Sequence, residues 1–156
     1  MGSTSTDHSD HDWTEIIMLN LDNERNAAAD ARLREASIIW LTTVSASGQP
    51  QSSPVWFLWD GAEFLIFGSR NGQKTRNIAA NPRVGLNLDG NGQGGGNVIF
   101  EGMARIEPGA PSADSLPADY LAKYEAMIEA FGWSLADMAR DYPHVIRVTP
   151  TRVRIW

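Results

Sequence analysis

The stretch that decides the fold covers residues 37–59 and reads Ser-Ile-Ile-Trp-Leu-Thr-Thr-Val-Ser-Ala-Ser-Gly-Gln-Pro-Gln-Ser-Ser-Pro-Val-Trp-Phe-Leu-Trp. Its first part, 37–44, is dense in β-branched and aromatic side chains, which predicts a largely buried strand. Residues 46–50 have the glycine and proline of a turn, and 51–59 predict a second strand. Because proline cannot donate a ladder hydrogen bond, Pro54 predicts an edge strand or a bulge there.

More short strands follow outward from this pair. The dipeptide Asp60-Gly61 predicts a tight hairpin into a third strand at 63–68. Further β-like runs occur at 83–88, 97–107, 144–148 and 152–156, and Pro150 separates the last two. Because the first four strands are joined by tight turns or one brief helix, and parallel strands need long crossovers, we predict an antiparallel barrel.

Three helical patterns flank the strands. Residues 23–36 are alanine-rich and charged, without a β-branched side chain, which predicts a first helix. A second pattern recurs at helical spacing at Leu121, Tyr124, Ile128 and Phe131, and Gly132 ends it. Residues 134–137 have the spacing of a capping box and predict another short helix. The predicted fold class is therefore mainly β with flanking helices.

The composition excludes several classes of function. A net charge of −6 and a pI near 4.9 predict repulsion from nucleic acid and from anionic membranes. The absence of cysteine excludes disulfides, thiolate metal sites and cysteine nucleophiles. Neither a signal peptide nor a membrane span is apparent, so we expect a cytoplasmic protein that binds no nucleic acid and no membrane.

A chain of 156 residues most simply forms one domain. We assign residues 14–156 to a single barrel domain and residues 1–13 to a disordered polar tail, because the tail is rich in Ser, Thr, Asp and His. His8 and His11 lie there among aspartates and could trap a metal weakly, but ordering the tail would cost backbone entropy. We therefore expect no metal site.

A basic segment at 69–84 is the main candidate for binding. It contains Arg70, Lys74, Arg76 and Arg83 in an otherwise acidic chain. The segment follows an apolar strand and includes a short helical pattern over 74–80, closed by Asn81-Pro82. A strand that turns into a helix offers free N–H groups and positive side chains to a phosphate. A solvated basic face on an ordinary connector is the alternative.

Other motifs give weaker signals. Residues 90–95 match the dinucleotide fingerprint G-x-G-x-x-G, but a strand follows and no helix, so a hairpin loop is the better interpretation. The glycine-rich loop 89–97 must be flexible or pressed against something. A structural role is favoured for His144 over that of a general base, which argues against hydrolytic catalysis. Core or dimer contacts are expected for most tryptophans of the β segments, with one or two beside a planar cofactor as the alternative: Trp40, Trp56, Trp59 and Trp156.

Several motifs follow one another in a recognisable order: Leu33-Arg-Glu-Ala-Ser37, Leu41-Thr-Thr-Val44, Gly48 to Phe57, Asp60-Gly61, Lys74-Thr-Arg-Asn-Ile78 and Asn81-Pro-Arg-Val84. Together they resemble the pyridoxamine 5′-phosphate oxidase-like split β-barrel flavoproteins, and within them the branch of probable coenzyme F420-dependent enzymes. The resemblance covers roughly residues 30–156 and depends on the order and spacing of the motifs.

The resemblance implies a homodimer of six-stranded split barrels, the FMN-binding split barrel fold, with a flavin or deazaflavin in each of two grooves between subunits. The residues that match the family's phosphate-binding turn are Lys74, Thr75, Arg76 and Asn77, with Ser69 nearby. The segment along the tricyclic ring is matched by Gln51, Ser53, Pro54 and Val55. An edge strand with a proline leaves backbone groups free to bond the carbonyls and imide of a ring.

This chain departs from the pattern in one place. Some deazaflavin-binding relatives have an aromatic residue in the loop before the fifth strand, whereas residues 90–97 include none. Stacking on the ring from that loop is therefore not expected.

The resemblance implies an oxidoreductase that transfers hydride from reduced F420 to a small electrophilic acceptor, such as an activated alkene or a quinone. FMN is the alternative cofactor, in a flavin reductase or oxidase of the same fold, because both cofactors carry a ribityl phosphate. The longer anionic tail of F420 would favour positive charge from Arg70, Arg147, Arg152 or Arg154. No catalytic residue is assigned.

Two alternatives come from other classes of protein. One is a non-catalytic protein that binds a cofactor or another ligand. The other is an oligonucleotide-binding barrel, since short strands, aromatic residues and a basic patch also suit single-stranded nucleic acid. The acidic net charge argues against the second.

Overall fold

The structure is a computed structural model that describes residues 13–16, 18–109 and 115–156. The tail at 1–12, with His8 and His11, lies outside the described residues, so the predictions made for it stay predictions. The strands are β1 (Thr14–Glu15), β2 (Ile39–Val44), β3 (Pro50–Val55), β4 (Leu58–Trp59), β5 (Phe64–Gly68), β6 (Arg83–Asn87), β7 (Val98–Glu107) and β8 (His144–Ile155). The helices are α1 (Glu24–Glu35), α2 (Gln73–Ala80), α3 (Ala118–Ala130) and α4 (Leu135–Asp141). None of these helices is long and apolar enough to cross a lipid bilayer.

The strands form one antiparallel sheet in the order β3-β2-β6-β7-β8-β5-β4, and β1 pairs with β8. The outermost strands, β3 and β4, are joined by Trp56 and Phe57 alone, so the two edges of the sheet must approach each other. The sheet therefore curls into a half-barrel. Six strands are long, whereas β1 and β4 have 2 residues each. The predicted mainly β, six-stranded antiparallel split barrel with flanking helices is confirmed, with two short strands added.

The predicted strand at 51–59 is interrupted in the structure. It divides into β3 and β4 because Trp56 and Phe57 leave the ladder between them. The backbone N–H of Phe57 donates instead to the Tyr124 hydroxyl at 2.8 Å. A side chain of α3 thus replaces a neighbouring strand as the partner of this segment.

The two strands predicted at the C-terminus form the single strand β8. Gly102 pairs with Pro150 while Glu101 pairs with Arg152, so Thr151 is the extra residue of a β-bulge. The bulge lets the strand pass a proline that cannot donate a ladder hydrogen bond. Pro150 therefore interrupts the register and not the strand.

Two apolar clusters stabilise the fold. The larger fills the curled sheet and includes ring contacts of Phe64 with Trp59 and with Phe100, at centroid distances of 4.6 and 5.2 Å. The smaller lies under α3 and α4 and includes Tyr120, Tyr124, Ile128 and Met138, with Trp56 and Phe67 packed against it. Side chains alternate along β5, so Phe67 reaches this outer cluster while its neighbour Ile66 points into the barrel.

Helix α1 is attached to the barrel by a partly buried carboxylate. Asp30 accepts a hydrogen bond from Trp59 Nε1 at 2.8 Å and pairs with Arg34 at 2.9 Å. Burial acts to raise the pKa of Asp30, but the hydrogen bonds from Arg34 and Trp59 and the charge of Arg34 outweigh it and hold the pKa below its usual value.

The glycine-rich loop 89–97 is pressed against the fold and not left free. Arg32 of α1 donates to the carbonyls of Gly96 at 2.6 Å and Asp89 at 2.7 Å. Trp156 Nε1 donates to the carbonyl of Gly94 at 3.0 Å. The glycines therefore allow the loop carbonyls to meet these donors.

Candidate functional site

A cavity of about 460 Å³ lies where the end of β3, the connection from β5 to α2, and the two helices α3 and α4 meet. It is lined by Ile38, Pro54, Val55, Trp56, Phe67, Ser69, Lys74, Tyr120, Phe131, Trp133, Met138 and Tyr142. One end is polar, where α2 begins, and the other is aromatic. The basic segment and the edge strand predicted from the sequence thus border one cavity.

The polar end is built by a tight connection between β5 and α2. β5 ends at Gly68, the N–H of Gly72 donates to the carbonyl of Ser69 at 3.1 Å, and α2 starts directly afterwards. A Cβ atom at Gly68 would lie 2.7 Å from Thr75 Oγ1 and 3.0 Å from Ile146 Cδ1, so the missing side chain of this glycine lets the first turn of α2 pack closely on the strand.

The first turn of α2 has no N-terminal cap, and two of its side chains, Lys74 and Thr75, form no hydrogen bond with a described residue. No side chain caps its N-terminus at Gly72, and the turn contains no acidic residue. Thr75 Oγ1 is the one buried side-chain polar atom without a hydrogen bond among the described residues. Lys74 lines the cavity and forms no ion pair or hydrogen bond with a described residue. N–H groups, a hydroxyl and an ammonium group are therefore available together to an anion.

Asn77 lies in α2 but does not reach the cavity. It is 2% exposed, and its Nδ2 donates to Thr43 Oγ1 at 2.9 Å and to Gln51 Oε1 at 2.8 Å. Its Oδ1 accepts from Gln73 Nε2 at 2.8 Å. The predicted residues Gln51 and Asn77 are thus brought together with each other, and their bonds fix α2 against the edge strand β3.

The arginines of the basic segment are also engaged within the protein. Arg76 donates to the carbonyl of Asn71 at 2.8 Å and to Gln73 Oε1 at 2.7 Å. Arg70 donates to the carbonyl of Arg140 at 2.7 Å, which joins the β5–α2 connection to the end of α4. Of the cations in this segment, Lys74 is the one that lines the cavity.

The C-terminal arginines are used in the same way. Arg147 pairs with Glu107 at 2.6 Å, and Arg152 pairs with Glu101 at 3.4 Å. Arg154 lies over the ring of Trp156, 4.7 Å from its centroid. None of these residues lines the cavity, and the expectation that they serve a cofactor tail stays a prediction.

The aromatic end of the cavity is formed mainly by residues around the α3–α4 connection. Trp56 stacks on Tyr124 with centroids 4.5 Å apart and an interplanar angle of 3°. Trp133 lies 5.8 Å from Trp56 and 5.2 Å from Phe131. Phe131, Trp133 and Tyr142 are 58%, 41% and 36% exposed, respectively. Large exposed aromatic faces are thus gathered at the mouth of the cavity.

Two side chains of α3 hold the connection that forms this wall. Tyr124 Oη lies 2.8 Å from the N–H of Phe57 and 2.8 Å from the carbonyl of Ser37, while Lys123 Nζ donates to the carbonyl of Phe57 at 2.8 Å. Lys123 also lies 3.8 Å from the centroid of the Phe57 ring. Burial lowers the pKa of Lys123 to about 8 and raises that of Tyr124 to about 12. These groups satisfy the backbone where β3 leaves the sheet.

The predicted site residues therefore divide into groups. Pro54, Val55, Ser69 and Lys74 line the cavity, and Thr75 lies beside Lys74 with its hydroxyl unpartnered. Gln51, Arg76 and Asn77 bond other protein groups, and Ser53 is partly buried in β3 without lining the cavity.

Sequence reasoning missed the aromatic lining residues of α3, α4 and their connection. These are Tyr120, Phe131, Trp133 and Tyr142. The helical spacing placed Phe131 in the predicted helix, whereas it caps the end of α3 and is exposed. A concentration of aromatic residues around Gly132 was the available signal.

The curled antiparallel sheet defines a split β-barrel fold, and its cavity has Ser69 and Lys74 at one end and aromatic rings at the other. A family model described as Pyridoxamine 5′-phosphate oxidase matches residues 26–156. The chain belongs to this family.

Solved structures with the same fold bind or use different cofactors. An F420 reductase is 27% identical, with a TM-score of 0.57 over 80% of this chain and 94% of that chain. An FAD-binding protein of Mesorhizobium loti is 22% identical, with a TM-score of 0.57 over 81% and 91%. HutZ, the heme storage protein of Vibrio cholerae, is 17% identical, with a TM-score of 0.55 over 80% and 88%.

The FAD-binding protein and HutZ show a shared fold alone. A search of curated proteins finds no significant match. The fold is thus one found in flavin- and deazaflavin-type proteins. Because a heme storage protein has it as well, the fold by itself does not establish catalysis.

Proposed function

We propose that this protein is an oxidoreductase that binds coenzyme F420 and transfers hydride from the reduced deazaflavin to a small electrophilic acceptor. The observation that carries the proposal is the first turn of α2, where an uncapped N-terminus, the unpartnered Thr75 hydroxyl and Lys74 meet beside the cavity. This donor set suits a phosphate group.

The Thr75 hydroxyl supports a ligand at this position. A buried hydroxyl without a partner costs free energy, on the order of 1–3 kcal/mol. Threonine in a helix has two accessible χ1 rotamers, so a change of rotamer can redirect the hydroxyl from Gly68 to an acceptor. In our proposal Ser69, Lys74, Thr75 and the free N–H groups of α2 hold the cofactor phosphate.

The edge strand β3 supports a position for the ring. Pro54 and Val55 line the cavity, and β3 pairs on one side only, with β2. Alternate N–H and C=O groups of such an edge are free to bond a ring's polar atoms. When bound, the cofactor supplies the hydride, while the protein orients the ring and excludes water from it.

The F420 reductase favours F420 over FMN, since its 27% identity extends over most of both chains. FMN is the second candidate, because a ribityl phosphate fits the same polar end. A homodimer with cofactor grooves between subunits, a cytoplasmic location and the absence of nucleic-acid binding stay predictions. Size-exclusion chromatography with light scattering tests the first of these.

Titration with F420 and with FMN tests the choice of cofactor. Trp56 and Trp133 line the cavity, so binding should quench intrinsic tryptophan fluorescence. We expect saturable quenching with F420. Tight binding of FMN without binding of F420 would mean that the cofactor is FMN. Binding of neither compound would refute the proposal. Turnover assays with the reduced cofactor then separate an enzyme from a non-catalytic binding protein.

Lys74→Ala tests the phosphate position. Loss of a charge-assisted contact should weaken binding by about 1.5–3 kcal/mol, or roughly ten- to a hundredfold. Arg83→Ala removes the same charge from the exposed start of β6, away from the cavity, and serves as the matched control. Equal affinity of the Lys74 variant and the control would contradict the assignment.

A further inference from the structure

Hydride addition to a conjugated carbonyl compound places negative charge on its oxygen, and a proton donor beside that oxygen accelerates the step. Six residues lining the cavity have an O–H or N–H side-chain group: Trp56, Ser69, Lys74, Tyr120, Trp133 and Tyr142. Ser69 and Lys74 belong to the end proposed for the phosphate. The donors left for an acceptor are therefore on the aromatic side.

Tyr120 is the most firmly placed of these donors. It is 2% exposed, and its ring contacts Phe67 edge-on at 4.8 Å and Tyr124 at 4.9 Å. No hydrogen bond joins its hydroxyl to another described residue, and, unlike Thr75 Oγ1, this hydroxyl is not fully enclosed by the protein. The hydroxyl is thus accessible to a ligand from the cavity that Tyr120 lines, and it donates its proton to no other described residue.

The surroundings keep this hydroxyl protonated. Burial raises the pKa of Tyr120, and negative charge on Tyr124 or Tyr142 would raise it further. The phenol is therefore neutral near neutral pH and available as a donor. Its conjugate base has a strong tendency to recover a proton.

The same lining indicates what kind of acceptor fits. Lys74 is the one charged residue among those that line the cavity, and it lies at the polar end. The mouth instead offers the exposed faces of Phe131 and Trp133. Aromatic faces bind flat apolar rings by stacking. An uncharged planar acceptor thus meets complementary surface next to Tyr120.

We propose that Tyr120 is a catalytic residue that donates its proton to the carbonyl oxygen of an uncharged, planar conjugated acceptor such as a quinone or aromatic enone; the proposal rests on the proposed function. Hydride adds to the β-carbon, the C=C and C=O electron pairs shift toward oxygen, and the oxygen takes the proton from Tyr120 to give the enol. The tyrosinate regains a proton from solvent. The acceptor gains two electrons, which the reduced cofactor loses.

Tyr120→Phe tests the role because it removes only an unpartnered hydroxyl and keeps the ring contacts. Tyr142→Phe is the comparison variant, since it removes the second tyrosine hydroxyl of the same cavity, from a residue that is 36% exposed at its mouth. With menadione as the acceptor, we expect kcat/KM to fall roughly a hundredfold in the Tyr120 variant and by a clearly smaller factor in the Tyr142 variant. Both variants should keep the cofactor affinity of the unmodified protein.

A second measurement needs no cofactor. The infrared carbonyl stretch of menadione bound to the cofactor-free protein should be lowered by a hydrogen bond from Tyr120, and the Tyr120 variant should abolish the shift while Tyr142→Phe retains it. The proposal would be overturned by full activity of Tyr120→Phe or by equal losses of kcat/KM in both variants. A carbonyl stretch that Tyr120→Phe leaves unchanged would overturn it as well. Failure of F420 and FMN to bind would instead refute the proposed function, and the infrared comparison would still decide whether Tyr120 faces the carbonyl.

Discussion

Helices α2 and α4 both contribute to the cavity, but their N-termini are built differently. At α4, Ser134 Oγ accepts from the N–H of Asp137 at 3.0 Å, and the Asp137 carboxylate accepts from the N–H of Ser134 at 3.2 Å. These hydrogen bonds, with the charge of Arg140, hold the pKa of Asp137 below its usual value. At α2, Gly72 offers no cap and no acidic residue follows. Helix α4 caps its N-terminal N–H groups with its own side chains, whereas α2 has no side-chain cap.

A cap added to α2 should remove the difference and have the largest effect on binding. Gly72 has a φ of −69°, which any residue adopts, so Gly72→Asp can cap the helix and place negative charge at the proposed phosphate position. We expect cofactor affinity, measured by fluorescence titration, to fall by about 2 kcal/mol or more, roughly thirtyfold.

The control for this change is Gly72→Ala. A Cβ atom at this position would lie 2.6 Å from Ser69 Oγ, a side-chain atom that can rotate away. The alanine variant introduces that Cβ without a cap or a charge. Equal losses in the two variants would trace the effect to crowding and not to the open helix terminus.

Thr75→Val tests the difference between the two helices at a single atom, the Thr75 hydroxyl oxygen. Valine has the shape of threonine without the hydroxyl, so cofactor affinity should fall by about 1.5 kcal/mol, roughly tenfold. The free energy of unfolding without cofactor, from urea denaturation, should stay equal or rise, because no hydrogen bond is lost. A clearly destabilised variant would mean that the hydroxyl has an internal partner after all.

Ser134→Ala should give the reverse result at α4. Loss of the capping hydroxyl should lower the free energy of unfolding by about 1 kcal/mol. Cofactor affinity should not change, because the cap faces the helix itself. Ser134→Asp retains a capping oxygen and should recover most of the stability. A loss of cofactor affinity in Ser134→Ala would end the distinction between the two helices.

The two lysines of the chain, Lys74 and Lys123, extend the comparison to a smaller effect, which is the pH dependence of the free energy of unfolding. Lys123 is half-buried against Phe57, and its pKa of about 8 lies below the 10.5 of an exposed lysine. The folded state therefore binds fewer protons than the unfolded state between these values, so the stability contribution of Lys123 rises as the pH increases from about 8. Urea denaturation of the wild type between pH 7 and pH 9.5 should show this increase of the free energy of unfolding with pH. Lys123→Met should lack the increase, whereas the control Lys74→Met should retain it.

Local patterns in the sequence predicted the parts of the fold that local chemistry decides. Alternating and β-branched runs identified the long strands, and Ser134 with Asp137 identified the start of α4. The break at Trp56 and Phe57 escaped prediction because its cause, Tyr124, lies 67 residues from Phe57 along the chain. A hydrogen bond of that kind leaves no periodic signal near the break.

The candidate site was predictable to a similar extent. Ser69 and Lys74 lie on one tight connection, so a strand-to-helix pattern placed them together. The resemblance implied a place for Asn77 in the phosphate-binding turn, but its amide donates to Thr43 of β2 and Gln51 of β3. Trp133 joins the site because a helical connection folds over the sheet, and no spacing in the sequence encodes that contact.

The order of the strands determines when the barrel can be completed during protein synthesis. Strand β8 alone connects the sheet of β3, β2, β6 and β7 to the hairpin of β5 and β4. A nascent chain that ends before His144 therefore holds two unjoined sheets with open edges, even though every other strand has been made. Closure must wait until residues 144–155 have left the ribosome, and until then the edges of β7 and β5 lack the neighbour that they have in the folded protein and are the surfaces that a chaperone would have to protect.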